Sequence, residues 1–260
     1  MCLPIVYAVH NTIADPFTDV YDTRIHNRPV EGDRGSAIGI RTMTNRRPLR
    51  SRRRATYRHG DLRRALIDSG IELARHGGPD AVVLREATRR AGVVPNAAYR
   101  HFRSRDGLLQ AVRDAALATL AVTMENELAA VRRDEDAADF ARASLRAIGT
   151  AYLRFAQTEP GLFRTAFATR GPAPGEGDRV VAGTSGLGPF ELLGAALDRL
   201  VAAGVLPSER RPAAEYLAWS AVHGLAMLVL DGPLRRMTDA ERESVAGRLL
   251  TMVEKGIQCL

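Results

Sequence analysis

Cysteine is nearly absent from this chain. Among 260 residues only Cys2 and Cys259 occur, at opposite ends. No C-x-x-C or other metal-ligand spacing is present, which argues against both a zinc site and a disulfide framework. That usage fits a reducing cytosol. Aromatic residues are only 5% of the chain, with a single tryptophan. β-branched and aromatic residues seldom alternate with polar ones, which argues against sheet and towards helix. The longest uncharged apolar run, YLAWSAVHGLAMLVL at residues 216–230, falls short of the roughly 20 residues that span a bilayer, so no membrane-spanning helix is expected. Asp15, Asp19 and Asp22 interrupt the first stretch, so a secretory signal peptide is not expected either. Glycine-rich phosphate loops, paired zincin histidines and a nucleophile elbow are all missing. With no recognisable catalytic constellation, an enzyme is not expected, nor a cofactor or metal.

What the chain does have is positive charge and helical periodicity. The formal charge is +7 and the isoelectric point about 10.1. On charge alone, nucleic acid and an anionic membrane are both open as partners. Residues 1–43 show no sustained period and no apolar stripe, which predicts disorder and suggests that translation starts at Met43. Residues 46–58 carry Arg46, Arg47, Arg50, Arg52, Arg53, Arg54 and Arg58 with no acid. Such a run is either a solvated tail or an arm that lies along phosphates or in a minor groove. Its position just before a helix favours the arm.

From Asp61 the residues Leu62, Ala65, Leu66, Ser69, Gly70 and Leu73 fall on one face of a helix, which HGGPD ends at residues 76–80. LREATRRA (84–91) reads as a two-turn helix closed by Gly92. PNAAYRHF (95–102) reads as another, with Pro95 at a permitted first-turn position. Ser104 can cap a long helix over 104–133, with Asp106 favourable to its dipole. DEDAADF (134–140) marks a boundary or a fresh helix start. Leu145, Ile148, Tyr152 and Phe155 stripe the next helix up to Pro160, and a short helix follows. Residues 171–188 are rich in glycine and proline and read as a loop. Residues 189–206 are helical. Residues 212–230 are apolar nearly all round, which predicts burial on more than one side. The last helix opens with a capping box, Thr238 and Glu241, and carries Val245, Leu249, Met252 and Val253 on one face. No strand is predicted.

A long helix, a short one, a GVV turn and a second short one make helix-turn-helix spacing. Arg85, Arg89 and Arg90 flank it on the first short helix, Arg100 and His101 on the second, and Arg103 and Arg105 beyond. Only Glu86 and Asp106 oppose them. YRHGDLRRALIDSGIEL and VLREATRRAGVVPNAAYRHFRSRDGLLQAV, over residues 57–112, resemble the DNA-binding domain of TetR/AcrR-type transcriptional regulators. AYLRFAQTEPGLFRTAF and AWSAVHGLAML resemble the C-terminal domain of a TetR subgroup with a Trp-x-x-x-His-Gly signature, here Trp219, His223 and Gly224.

The resemblance implies an all-α homodimer. A three-helix helix-turn-helix domain (57–112) would follow a disordered basic extension (1–56). It would join through a long helix to a ligand-binding and dimerisation bundle (113–260). It implies a double-stranded operator, a small apolar effector and a repressor whose recognition helices respond to ligand; an activator on the same scaffold is the alternative. Phosphate contacts are expected from Arg54, Tyr57, Arg85, Tyr99, His101 and Arg105. Base reading is expected from the 95–100 face: Pro95, Asn96, Ala97 and Arg100. Asn96 has an amide suited to an adenine edge. Phe102 matches a core position. Phe155, Phe163, Phe167, Phe190, Trp219 and His223 are the candidate pocket residues. Core packing is the default for the phenylalanines and for His223, and Trp219 suits core and pocket equally. Val94 and Val83 stand where a capping Ser or Thr is usual, and Ala87 and Thr88 where a larger apolar and then a small residue are usual. These departures keep a helical ligand-binding dimer with weakened DNA recognition in play.

Overall fold

The computed structural model describes residues 59–133, 136–168 and 182–259. The basic arm with Arg54 and Tyr57, the acids Asp134 and Glu135, and the loop residues 169–181 lie outside the described residues. Nine α-helices and no strand occur among those described. They are α1 (His59–Gly77), α2 (Leu84–Ala91), α3 (Pro95–Ala98), α4 (Arg105–Ala129), α5 (Ala137–Thr158), α6 (Pro160–Ala166), α7 (Pro189–Ala202), α8 (Ala214–Leu230) and α9 (Asp239–Cys259).

Local chemistry accounts for most of the ends. Gly92 takes φ 67°, the left-handed conformation that closes α2 and that glycine adopts without steric cost. Ser104 accepts the Gly107 N–H at 3.2 Å and starts α4. Asp136 accepts the Ala138 N–H at 3.3 Å and starts α5. The capping box of the last helix forms in both directions. Thr238 accepts from the Glu241 N–H at 3.3 Å, and Glu241 accepts from the Thr238 N–H at 2.7 Å. Pro160 occupies the first turn of α6, where its missing N–H costs nothing.

Helices α1 to α4 share a core of Leu66, Leu73, Val82, Leu84, Ala87, Ala98, Phe102, Leu108 and Val112. Phe102 is its anchor, buried from solvent, with the Arg63 guanidinium 5.4 Å from the ring centroid. The second core lies among α4 to α9. The stripe Leu145, Ile148, Tyr152 and Phe155 is buried throughout, facing Leu192, Leu197 and Leu200 of α7 and Val222, Leu225 and Val229 of α8.

Two expectations need correction, and a third needs a boundary. The second short helix is four residues long and not eight. After Ala98 the chain tightens, with the His101 and Phe102 N–H groups both donating to the Ala98 carbonyl at 2.9 Å, so Phe102 can turn inward. Helix α8 packs against more than one neighbour, as its composition predicts, but one side stays open. Tyr216, Leu217 and Leu228 are 60%, 50% and 44% exposed, because α5, α7 and α9 pack against only part of it. On α9 the buried residues are Leu250 and Ile257, and Met252 faces outward at 60% exposure.

Candidate nucleic-acid interface and aromatic recess

Helices α2 and α3 meet through the Gly92 turn, and both present polar faces to solvent. Neither has a side-chain N-cap. Val83 and Val94 take extended backbone conformations at the cap positions, and their side chains offer no hydrogen bond there. Val94 is 68% exposed. Pro95, Asn96, Tyr99 and Arg100 are exposed beside it, Ala97 and His101 are half-buried, and Arg103 is exposed just beyond.

The charges divide into two groups. Glu86 holds Arg89 in a two-pronged ion pair and Arg90 at 3.5 Å. The Arg89 hydrogen bond leads the effects that lower the Glu86 carboxyl to about 2, against a smaller upward effect of burial. Arg85, Arg100 and Arg103 have no carboxylate partner among the described residues. They form the uncompensated cationic edge of this surface. Arg105 departs from expectation. Its Nε donates to the Val82 carbonyl at 2.9 Å and one terminal nitrogen to the Pro79 carbonyl at 2.7 Å. It braces the start of α4 against the α1–α2 connection, and those donors are not free for phosphate. The sequence reading missed this because a cation next to a helix start is charge-equivalent to one facing outward.

Of the six candidate pocket residues, the structure brings five together and leaves one apart. Phe163 and Phe167 of α6 have ring centroids 4.9 Å apart. His223 of α8 stacks on Phe163 at 5.7 Å and meets Phe167 edge-on at 4.9 Å. Trp219 lies 6.1 Å from Phe167 and 5.9 Å from His223, and Phe190 of α7 joins through Trp219 at 5.9 Å. Phe155 is buried but makes no ring contact with this group. It stays a core residue of the α5 stripe.

The centre of the cluster is a residue that the sequence reading treated only as core. Tyr152 accepts the Trp219 indole N–H at 3.1 Å, and its hydroxyl lies 2.7 Å from His223 Nδ1. Burial pushes the Tyr152 hydroxyl well above its ordinary value, and burial lowers His223 below 6.5. Both are neutral near pH 7. Trp219 and His223 are four apart on one face of α8, so a half-buried indole N–H and an imidazole one turn away can share a polar partner. That was the available signal.

Helix α6 connects this cluster to the helix-turn-helix. Gly161 lies directly against the backbone carbonyls of Ala74 and Arg75 at the end of α1. Arg75 bonds Glu159 at 3.2 Å at the same junction. On the other side the buried Arg113 of α4 donates to the Ala166 carbonyl at 2.9 Å. Among the described residues no group of acids, histidines or cysteines could hold a metal, and no helix is long and apolar enough to cross a membrane.

A cationic helix-turn-helix fused to a helical bundle defines a class, the helical DNA-binding regulators. Comparison with known proteins makes it specific. Residues 66–112 match the family model of bacterial regulatory proteins of the tetR family. Residues 145–253 match the tetracyclin repressor-like C-terminal domain. The chain therefore belongs to the TetR family of bacterial DNA-binding transcriptional regulators. It is similar to a solved protein of unknown function from Rhodococcus sp. RHA1, with 26% identity and TM-score 0.61, over 78% of this chain and 99% of that one. It shares its fold with RolR, solved in complex with the ligand resorcinol, with 19% identity and TM-score 0.50, over 77% of this chain and 94% of that one. A regulator of the family from Mesorhizobium loti has 13% identity and TM-score 0.51, over 77% of this chain and 98% of that one. No curated protein matches the chain.

Proposed function

We propose that the protein is a homodimeric, ligand-responsive repressor that binds a near-palindromic operator, and that it acts in the cytoplasm as a binding protein and not as an enzyme. Residues 57–112 would engage DNA, and residues 113–260 would sense ligand and pair. The observation that carries the reading is the uncompensated edge of Arg85, Arg100 and Arg103 beside the exposed Tyr99 and Asn96. In this reading Arg85, Tyr99 and His101 contact phosphates, joined by Arg54 and Tyr57 from the arm. Pro95, Asn96, Ala97 and Arg100 face base edges.

The open face of α8, with Leu217, Met227 and Leu228, supports pairing with a second copy. Two-fold symmetry then places half-sites on one face of the duplex. Ligand response follows through α6. A molecule that parts Phe163 and Phe167 displaces α6 against α1 and α4, and it weakens DNA binding only if it binds the DNA-free state more tightly.

The test is a gel-shift titration against the promoter of the protein's own gene over a range of salt. Affinity falls steeply with salt, because each neutralised phosphate releases condensed counterion. Absence of binding at any salt favours the second reading, a helical ligand-binding dimer with weak DNA recognition, which the uncapped Val83 and Val94 support.

A further inference from the structure

The hydrogen bonds around Tyr152 determine which nitrogen of His223 carries a proton. The indole of Trp219 can only donate, so the Tyr152 oxygen accepts from it at 3.1 Å. Tyr152 has one proton left, and His223 Nδ1 lies 2.7 Å away. That proton therefore goes to Nδ1, which must be bare. A neutral imidazole then carries its hydrogen on Nε2. His223 is half-buried, and Nε2 has no protein partner among the described residues. It is an unpartnered donor on a ring that packs against Phe163, Phe167 and Trp219, and Phe190 adjoins through Trp219.

We propose that the half-exposed side of this ring cluster, where Phe167, Phe190, Trp219 and His223 reach solvent, selects planar aromatic molecules bearing a neutral hydrogen-bond acceptor, such as an aryl ketone, aldehyde or ester, held by the Nε2–H of His223. The inference rests on the ligand-responsive reading above and adds the chemistry of the ligand. The ring faces reward flat apolar surface by stacking and edge-to-face contact. The single donor rewards one acceptor and leaves a hydrocarbon with an unmet N–H. A carboxylate is disfavoured because Tyr152 and His223, the titratable members of the ring cluster, are both neutral and offer no charge to offset its desolvation.

Trp219 is the only tryptophan of the chain, so the protein has a single indole N–H resonance, and that group sits in the recess. Acetophenone, ethylbenzene and benzoate are titrated against the full-length protein, following this resonance. Acetophenone is expected to bind roughly 3- to 10-fold more tightly than ethylbenzene, the factor that one net hydrogen bond supplies. Benzoate is expected to be the weakest. His223→Phe should remove the preference for acetophenone while ethylbenzene still binds. Equal affinities for ketone and hydrocarbon in the unaltered protein overturn the selectivity and leave the ligand site standing. An indole resonance indifferent to all three compounds removes the recess as a ligand site, and the ligand-responsive reading with it. The nitrogen-15 shifts of His223 in the free protein check the tautomer separately, and a protonated Nδ1 in the neutral ring also refutes the proposal.

Discussion

Gly161→Ala tests the junction between the recess and the helix-turn-helix most directly. The added methyl would overlap the backbone carbonyl oxygens of Ala74 and Arg75 and stand 2.8 Å from the Arg75 carbonyl carbon. Ordinary contact begins near 3.4 Å, so α6 must retreat by about 0.6 Å to clear the carbon alone, and further to clear the oxygens. Neither side can give cheaply. The obstacles are main-chain atoms, and Ala74 O already accepts the Gly78 N–H at 2.8 Å. Behind α6, Leu162 and Phe163 are fully buried and Arg113 grips the Ala166 carbonyl. Overpacking of this kind costs about 1–3 kcal/mol. For a unit of this size that corresponds to a fall in Tm of roughly 2–12 °C. Because the overlap is at the end of α1, operator affinity should fall together with Tm. Differential scanning fluorimetry reads the first quantity and a gel shift the second. A variant that melts within a degree of the parent shows that α6 does not bear on α1 as described. Gly161→Ser should behave like Gly161→Ala, since the clash is with Cβ.

Other outcomes follow from single contacts. Ser104→Ala removes the cap of α4 and should cost about 1 kcal/mol by chemical denaturation; Val94→Ser should add a cap to α3 and raise both stability and operator affinity. Glu125 is buried. Burial raises its carboxyl, but the hydrogen bonds from Ser185 and Thr184 outweigh this and hold it below 4.5. Its contribution is therefore complete above pH 4.5 and is lost as pH falls through the lowered folded value. Glu125→Gln should cost about 1–3 kcal/mol at pH 7, and that penalty should shrink in acid melts. Leu217→Glu on the open face of α8 should convert a dimer into monomers by analytical ultracentrifugation while leaving the helical circular dichroism unchanged; an unaltered sedimentation coefficient rules out that face as the contact.

Much of the secondary structure was legible because its causes are local. The α5 stripe, the left-handed Gly92, the Ser104 cap and the Thr238–Glu241 box each involve residues within a few positions, and each formed as read. The family resemblance was equally legible, since the turn and its flanking residues form one continuous run. Reading failed where the decision depended on what lies across the molecule. On α9 the reading put Met252 on the packed face, whereas Leu250, two positions away and nearly opposite on the helix, is the residue that packs on Gly149 of α5. Helix α8 is buried on more than one side as its composition implied, but which apolar residues stay open, Tyr216, Leu217 and Leu228, was decided by where its neighbours pack.

By itself, then, the sequence determined which stretches are helical, several of their caps and the family, because propensity, capping and turn chemistry act over short stretches of chain. Only the tertiary structure decided which side chains cooperate. Tyr152 finds His223 across 71 positions, Arg105 finds the Val82 carbonyl across 23, and Arg113 finds the Ala166 carbonyl across 53. Each of those bonds needs two helices to be docked before its geometry exists. For that reason Arg105 became a brace, and a tyrosine in a core stripe became the centre of the aromatic recess.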